Sequence, residues 1–285
     1  MCDACVIEGV KRRMLGEGVS RRGLFRGAAA VGAALTVAGS SAARAASHGG
    51  GNVSASGVPA DLTHELHPDF PTFFGEPQFE MERKFGFDTD GFNLFELTVN
   101  EHTGTHMDAP LHFSADGLSV AEIPVEELIV PLAVIDIAAK AEDDPDAQVT
   151  PEDVDAWIAT NGDLPQGCCV AMYSGWAAKV DDAAFRGADE DGTLHFPGFH
   201  PDATQMLIEN GAARGMAVDT LSLDHGPSPD FATHYAWLPS GRWGLEALAI
   251  GPDVPATGAT LFVGAPKHRG GTGGPTRALA LVPAA

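Results

Sequence analysis

The chain has 285 residues, of which 44% are hydrophobic and 20% charged, a composition that supports one large domain with a substantial core. Its formal net charge is −22 at pH 7, because 39 acidic residues outnumber 17 lysines and arginines. A surface of this sign repels nucleic acid and anionic membranes, so the sequence predicts neither as a partner.

The first 45 residues have the pattern of a twin-arginine export signal. Arg21 and Arg22 precede an apolar run at residues 27–39, and residues 43–45 form an A-x-A cleavage site. The run is shorter than the ~20 residues that a membrane-spanning helix needs, although a retained anchor stays an alternative. Residues 1–46 carry a net charge of +4, so the whole-chain charge of −22 leaves −26 on residues 47–285. We expect export to the periplasm or the extracellular space, with no membrane attachment of the mature form.

Residues 46–57 are rich in Gly and Ser and predict a linker, which leaves residues 58–285 as the functional domain. Within that domain, segments typical of strands and helices alternate. The predicted strands are residues 92–99, 131–137, 168–173, 215–219, 260–263 and 277–282. Capping and breaking residues predict helices at 151–160 and 201–210. This order indicates an α/β fold with a mixed sheet.

The segment from His102 to His112 places three histidines and one aspartate within eleven residues. A predicted strand leads into it, and Gly104 permits a sharp turn of the backbone. Pro110 favours extended geometry at the residue before it. The segment is therefore predicted to run as turn and strand, and not as a helix.

If residues 107–111 are extended, the side chains of His106, Asp108 and His112 share one face. His106 and Asp108 would then lie about 6–7 Å apart at Cα, and His112 about 13 Å from Asp108. Imidazole and carboxylate groups suit zinc or manganese. The cluster predicts a metal site with His112 as a neighbour of the ion. The alternative is a set of separate, hydrogen-bonded loop histidines.

Several segments, in order, resemble the signatures of the cyclase-like metal-dependent hydrolases, a family that includes bacterial kynurenine formamidase and isatin hydrolase. Residues 102–112 are similar to the family pattern H-x-G-T-H-x-D-x-P-x-H. Further matches are residues 61–64 (D-L-S/T-H), 71–77 (P-x-W/F-x-G-D/E) and 219–224 (D-T-P-S-x-D, with Leu221 in place of proline). Residues 274–280 resemble the closing G-S/A-P-x-R-A-x-A, through the P-x-R-A-x-A of residues 275–280. The resemblance covers about residues 61–282. It implies a swivelling β/β/α domain that assembles as a homodimer or homotetramer.

The resemblance also implies the metal ligands. His102, His106 and Asp108 match the ligands of one divalent ion, and His234 and Glu246 match the late ligands of the family. Asp108 would bridge two ions if both are present, and the metal would be Zn²⁺ or Mn²⁺. On residue type alone, His234 could instead pack among aromatic side chains, and Glu246 could be a solvated helix acid.

The implied activity is hydrolysis of a carbon–nitrogen amide bond in a small molecule, either a cyclic amide such as isatin or an aryl formamide. A divalent ion lowers the pKa of bound water from 15.7 toward ~7. His112 would serve as the catalytic general base and then return the proton to the departing nitrogen.

Aromatic residues suggest how a planar substrate would be held. Phe73 matches the position of a substrate-packing aromatic residue in the formamidases, and Trp176, Phe70 and Phe74 are further candidates for an apolar pocket. Ordinary core packing is the alternative for all four. Residues 173–176 and Leu221 depart from the formamidase pattern, which argues against N-formylkynurenine as the specific substrate.

Two other functions stay open at this stage. A lactone or ester hydrolase could use the same metal chemistry. An exported metal- or ligand-binding protein without turnover is the second alternative. A protein that only binds metal would not need His112, which is predicted to lie beside the ion without ligating it. The glycine-rich residues 270–274 lack the G-x4-G-K-S/T pattern of a phosphate-binding loop and predict a tight connection near the active site.

Overall fold

The computed structural model describes residues 56–284. The predicted export signal and nearly all of the predicted linker lie outside the described residues. The chain divides into two compact units. Among the described residues, the smaller unit is Met81–Leu97, and the larger unit comprises residues 56–80 and 98–284.

The described residues form thirteen strands and five α-helices. The strands are β1 (Val58–Asp61), β2 (Phe79–Phe85), β3 (Leu94–Val99), β4 (His106–Asp108), β5 (Ile129–Asp136), β6 (Gln148–Val149), β7 (Cys169–Tyr173), β8 (Gly198–Phe199), β9 (Gly215–Ala217), β10 (Trp243–Glu246), β11 (Ala259–Gly264), β12 (Gly273–Pro275) and β13 (Arg277–Val282). The helices are α1 (Phe87–Asp90), α2 (Ala138–Asp143), α3 (Pro151–Asn161), α4 (Pro201–Asn210) and α5 (Ala232–Trp237). The six strands and two helices that the sequence predicts by residue range are present, and their ends match or differ by at most two residues.

The smaller unit is built on β2 and β3, which form a two-stranded sheet. Lys84 lies 2.5 Å from Glu82 and 3.2 Å from Glu96, so one face of the pair carries charged side chains. The guanidinium of Arg83 lies over the Phe95 ring at 5.3 Å.

The larger unit contains a nine-stranded sheet in the order β1-β13-β11-β5-β7-β9-β10-β4-β12. The four central strands β5, β7, β9 and β10 are parallel, and their flanking neighbours are antiparallel. The sheet is therefore mixed, as the alternation of strands and helices predicts. Among residues 56–284, no helix combines the length and hydropathy needed to cross a membrane.

Local signals explain where the long helices begin and end. Thr150 and Asp153 form a reciprocal capping box at α3, with Pro151 in the first turn. Gly211 ends α4 in the left-handed conformation at φ 76°, which glycine adopts without steric cost. These helices pack on the sheet through large apolar side chains, including Trp157 and Leu207. The other face of the sheet carries a second core.

Candidate metal centre

The pairing of β4 with β10 brings distant acidic and imidazole groups together. The antiparallel register places Glu246 opposite His106 and Gly244 opposite Asp108. Opposed residues of an antiparallel pair point to the same face, so the Glu246 carboxylate lies beside the His106 ring. Glu246 is buried at the end of a strand, so the interpretation of this residue as a solvated helix acid is wrong.

Two groups of possible ligands share Asp108. The first comprises His102, His106 and Asp108, and the second comprises Asp108, His234 and Glu246. Within each group, one ligand atom from each residue lies within 4.8 Å of the others. All five predicted ligand residues therefore meet in one place, and four of them are buried while His102 is partly exposed.

In the first group, His102 Nδ1 lies 2.7 Å from Asp108 Oδ1, and His106 Nε2 lies 3.4 Å from the same oxygen. In the second group, His234 Nε2 lies 3.5 Å from Asp108 Oδ2 and 3.0 Å from Glu246 Oε1. Glu246 Oε2 also lies 3.3 Å from His106 Nε2, which links the two groups. His234 is therefore a member of the cluster, although the Phe113 ring also lies against it at 4.7 Å.

Hydrogen bonds outside the cluster fix two of the imidazoles. His106 Nδ1 donates to the carbonyl oxygen of Gly104 at 2.9 Å, which leaves Nε2 directed at the carboxylates. His234 Nδ1 donates to Asp224 Oδ2 at 2.6 Å, and the backbone N–H groups of Thr233 and His234 also donate to Asp224. Such outer partners hold the tautomer and the ring orientation that a metal ligand needs.

The charges of the cluster are strongly coupled. Burial opposes an imidazolium at His106, but the Asp108 and Glu246 carboxylates outweigh it and raise the pKa of His106 to about 10. Burial likewise opposes a carboxylate at Asp108, yet the three surrounding histidines, with the hydrogen-bonded His102 first, hold the pKa of Asp108 well below its usual value. Two buried carboxylates thus demand positive charge at this point, which protons or a cation must supply.

The residues present fit a divalent metal ion. His106 Nε2 and Asp108 Oδ2 are buried, have no hydrogen-bond partner and face the centre of the cluster. Zinc held by N and O atoms at about 2.0–2.2 Å separates its ligand atoms by about 3–3.5 Å, close to the measured spacings. The donor set of imidazoles and carboxylates suits Zn²⁺ and Mn²⁺.

His112 occupies a different position from the one predicted. The extended geometry ends at Ala109, because residues Pro110–His112 form a 3-10 turn with proline at its start. The backbone N–H of His112 donates to the Ala109 carbonyl at 2.9 Å. The turn folds the His112 ring back onto His102, with ring centroids 3.7 Å apart and planes 18° apart. The prediction of an extended strand through residue 111, and of a distance of about 13 Å, was therefore wrong.

The chemical state of His112 suits a proton acceptor. Burial, which disfavours the imidazolium, lowers the pKa of His112 to about 4. The ring is therefore neutral at pH 7 and retains a lone pair on one nitrogen. It belongs to neither ligand group.

A cavity of about 320 Å³ opens over the cluster. Its polar end includes His102, His106, His112, His234 and Glu246, and its apolar walls include Phe73, Phe74, Phe113, Leu221 and Phe231. The Phe73 ring contacts the Phe231 ring at 5.7 Å between centroids. Phe73, which the sequence predicts to pack on the substrate, therefore lines the cavity beside the cluster.

Two wall residues were not foreseen. Phe113 follows His112 directly, and its position in the chain was the only signal for it. Phe231 adopts φ 54° and ψ 42°, a left-handed conformation that is rare for a bulky residue. Strained residues of this kind cluster at functional sites, but nothing local in the sequence predicts the strain.

Trp176 and Phe70 lie elsewhere. Both belong to a buried aromatic cluster with Phe185, and the indole N–H of Trp176 donates to the Phe185 carbonyl at 2.8 Å. The backbone N–H of Trp176 donates to Asp219 at 2.9 Å. Neither Trp176 nor Phe70 is one of the described residues that line the cavity. Core packing, the alternative for these aromatic residues, accounts for both.

Comparisons with known proteins agree with this geometry. The family model described as Cyclase matches residues 60–225. The chain is 36% identical over 233 residues to isatin hydrolase of Roseibium aggregatum, a match that covers 78% of this chain and 87% of that protein. It is 26% identical over 221 residues to kynurenine formamidase of Salinibacter ruber, covering 77% and 95% respectively.

A solved structure of isatin hydrolase A from Labrenzia aggregata, bound to benzyl benzoate, has the same fold. The TM-score is 0.75 at 35% sequence identity, and the match covers 80% of this chain and 94% of that one. This likeness confirms the α/β fold with a mixed sheet that the order of predicted strands and helices indicated. The family match, the identities and the shared fold establish that the chain belongs to the cyclase family of metal-dependent hydrolases.

Proposed function

We propose that the protein hydrolyses a carbon–nitrogen amide bond in a small aromatic molecule, with a cyclic amide such as isatin as the first candidate and an aryl formamide as the second. The observation that carries this proposal is the pair of ligand groups sharing Asp108, with the neutral His112 stacked beside them. The similarity to an isatin hydrolase and to a kynurenine formamidase supports the same bond type.

The metal would be held by His102, His106 and Asp108, and a second ion would use His234, Glu246 and the shared Asp108. When bound, a divalent ion supplies water activation and polarises the substrate carbonyl. We propose Zn²⁺ or Mn²⁺, since imidazole and carboxylate donors suit both. Metal analysis of the purified protein by mass spectrometry identifies the ion and counts it.

His112 performs the proton transfers. Its neutral ring accepts a proton from the attacking water as the water oxygen joins the carbonyl carbon. The carbon–nitrogen bond then breaks, and His112 gives the proton to the departing nitrogen. An amine is a poor leaving group without that proton, which explains a histidine that lies beside the ligands and is not one of them.

The aromatic wall supplies orientation. Phe73, Phe113 and Phe231 line the same cavity as the ligand groups, and they offer edges and faces to a planar ring. A volume of about 320 Å³ is at the small end of ligand cavities, which suits a one- or two-ring substrate.

A substrate panel tests the proposal. The metal-loaded protein is assayed with isatin, an aryl formamide and a matched aryl lactone. We expect kcat/KM to be highest for one of the two amides, and Phe73→Ala to raise KM more than it lowers kcat. Preference for the lactone would contradict the proposed bond type.

A lactone or ester hydrolase is the second candidate, because a solved isatin hydrolase relative holds an aromatic ester, benzyl benzoate. The panel separates the two by the ratio of kcat/KM for amide and lactone. Metal binding without turnover of any of these substrates would instead support an exported binding protein.

We also propose that the protein is exported and forms a homodimer or homotetramer. The twin arginines at 21 and 22, the apolar run and the cleavage motif support export. Replacing both arginines by lysine and fractionating cells tests this, since the protein should then stay in the cytoplasm. Light scattering on the purified protein measures the number of subunits.

A further inference from the structure

The glycine-rich residues 270–274 lie directly against the first ligand group. Gly273 is paired with Asp108 through the register of β12 with β4. A Cβ atom at Gly273 would lie 2.7 Å from His102 Cε1 and 2.2 Å from the Met107 carbonyl oxygen. Glycine is required here because the loop backbone passes so close to the His102 ring. The loop is thus a connection at the active site, as the sequence predicts.

Thr272, in the middle of this loop, connects His102 to Glu101. Its Oγ1 lies 2.9 Å from His102 Nε2 and 2.5 Å from Glu101 Oε2. The backbone N–H of Thr272 donates to the same Glu101 oxygen at 3.0 Å. On its other side, Glu101 Oε1 lies 2.6 Å from His268 Nε2. Glu101 is therefore held at both oxygens.

The chemistry of these groups fixes the direction of each hydrogen bond. A carboxylate only accepts, and a threonine hydroxyl has a single hydrogen to donate. The hydroxyl of Thr272 therefore donates to Glu101, and its oxygen accepts the Nε2–H of His102. With Nε2 fixed as the donor to Thr272, Nδ1 is the nitrogen that faces Asp108 Oδ1, at 2.7 Å, and that would present its lone pair to a metal ion.

His102 thus differs from the other two histidines of the cluster. His106 and His234 are anchored through Nδ1 and present Nε2, whereas His102 is anchored through Nε2 and presents Nδ1. Without its anchor, the partly exposed ring of His102 could take the other tautomer or rotate away. The outer partner of His102 comes from a segment 170 residues further along the chain.

We propose that Thr272 and Glu101 are positioning residues that hold His102 as an Nδ1 ligand of the metal. This inference rests on the proposed metal site and adds two residues that act through His102 without touching the ion. Outer partners of histidine ligands contribute about 10- to 100-fold to metal affinity in other sites.

The test uses Co²⁺ as the probe, because its visible absorption reports the ligand field. The chelator-treated full-length protein and its Thr272→Val and Thr272→Ser variants are titrated with Co²⁺. We expect Thr272→Val to weaken Co²⁺ binding by about 10- to 100-fold and to change the absorption spectrum. Thr272→Ser keeps the hydroxyl and should bind within about threefold of the parent protein.

Thr276→Val is the matched control. The Thr276 hydroxyl is buried and donates to the Gly274 carbonyl at 2.9 Å, but it is not part of either ligand group. Its loss should leave Co²⁺ affinity and the spectrum unchanged. Parent-like binding by Thr272→Val, or equal losses in Thr272→Val and Thr276→Val, would overturn the positioning role.

A second variant keeps the test decisive if Thr272→Val does not fold. Glu101→Gln removes the negative charge of the acceptor that orients the Thr272 hydroxyl and should weaken Co²⁺ binding in the same direction. Circular dichroism confirms the fold of each variant before titration. If the parent protein itself neither binds metal nor hydrolyses amides, the proposed function fails. If the parent does both while Glu101→Gln and Thr272→Val bind normally, only the positioning role fails.

Discussion

The neutral state of His112 separates it from His106 and His234, two histidines of the ligand groups whose pKa values are raised by neighbouring carboxylates. His106 lies between two carboxylates that raise its pKa to about 10, whereas burial lowers the pKa of His112 to about 4. The same residue type therefore serves two purposes within one cavity. A histidine between the Asp108 and Glu246 carboxylates keeps its proton, whereas the buried ring of His112 stays neutral and can accept one.

Replacement of His112 by Ala should lower kcat by ~10²–10⁴ while the metal content stays unchanged, because a general base is lost and no ligand is. Steady-state kinetics and metal analysis on the same samples measure both quantities. His200→Ala is the control, since His200 accepts the Asp202 N–H at the start of α4 and is in neither ligand group. Metal loss in proportion to activity loss in His112→Ala would show a ligand role instead.

Glu246→Gln should weaken metal binding at the second group more than at the first. Glu246 lies 3.0 Å from His234 and 3.3 Å from His106, and the amide keeps its shape while removing its charge. Titration of the chelated variant with Mn²⁺ measures stoichiometry and affinity. If two ions bind the parent protein, one should remain in the variant; unchanged stoichiometry and affinity would rule out Glu246 as a ligand.

At the scale of elements, the site depends on the order β10-β4-β12. Asp108 has Gly244 opposite it on one neighbouring strand and Gly273 on the other. A side chain at Gly244 would enter the space next to the Asp108 carboxylate, and one at Gly273 would contact the His102 ring. Two glycines in register therefore create the room in which the ligand atoms converge.

Gly244→Ala should destabilise the protein by about 1–3 kcal/mol and weaken metal binding. The new Cβ would lie 2.9 Å from Leu223 Cδ1 and 3.5 Å from Asp108 Oδ2. Chemical denaturation and metal titration measure the two effects. Thr150→Ala, which breaks the capping box of α3, should cost about 1 kcal/mol without any change in metal affinity. Equal metal losses in the two variants would attribute the effect to general destabilisation.

The sequence predicts where strands and helices lie better than it predicts which of them pair or contact each other. Caps and breakers at Thr150 and Gly211 are local, so α3 and α4 are found almost to the residue. The alternation that places His106 and Asp108 on one face is also local. The contact of Glu246 with His106 requires β10 to pair with β4, a pairing of segments 140 residues apart. Only the family resemblance brought Glu246 into the predicted ligand set.

Other features of the cavity depend on tertiary structure. The turn at Pro110 places His112 on His102, whereas alternation alone places it far from Asp108. The left-handed Phe231 is stabilised by packing against Phe73 and Phe113, which the chain sequence does not reveal. Trp176 is the opposite case. The sequence predicts it at the substrate pocket because it lies near a family motif, but it packs in the core.

At the scale of the whole molecule, protons and metal compete for one buried cluster. In the metal-free protein His106 keeps its proton until about pH 10, so a divalent ion must displace that proton at neutral pH. The folded-state pKa exceeds the unfolded value of about 6.5. The stability that His106 contributes is therefore complete below about pH 6.5 and is lost as the pH rises toward 10.

Metal affinity should accordingly rise with pH, by about tenfold per pH unit for each proton released. The melting temperature of the chelated protein should fall over the same pH range. The difference in melting temperature between the metal-loaded and the chelated protein should therefore widen as the pH rises. Calorimetric titration in buffers of different ionisation enthalpy counts the protons. An affinity independent of pH between about 6 and 9 would contradict the coupling.

The central claim is that the ligand groups around Asp108 hold the ion that hydrolysis requires. The most direct measurement titrates Mn²⁺ or Zn²⁺ into chelator-treated protein and into its Asp108→Asn variant, following bound metal and isatin hydrolysis together. The account predicts no hydrolysis without metal, a rate that rises in proportion to bound metal, and neither binding nor hydrolysis in Asp108→Asn. Full activity in the metal-free protein, or in Asp108→Asn, would contradict it.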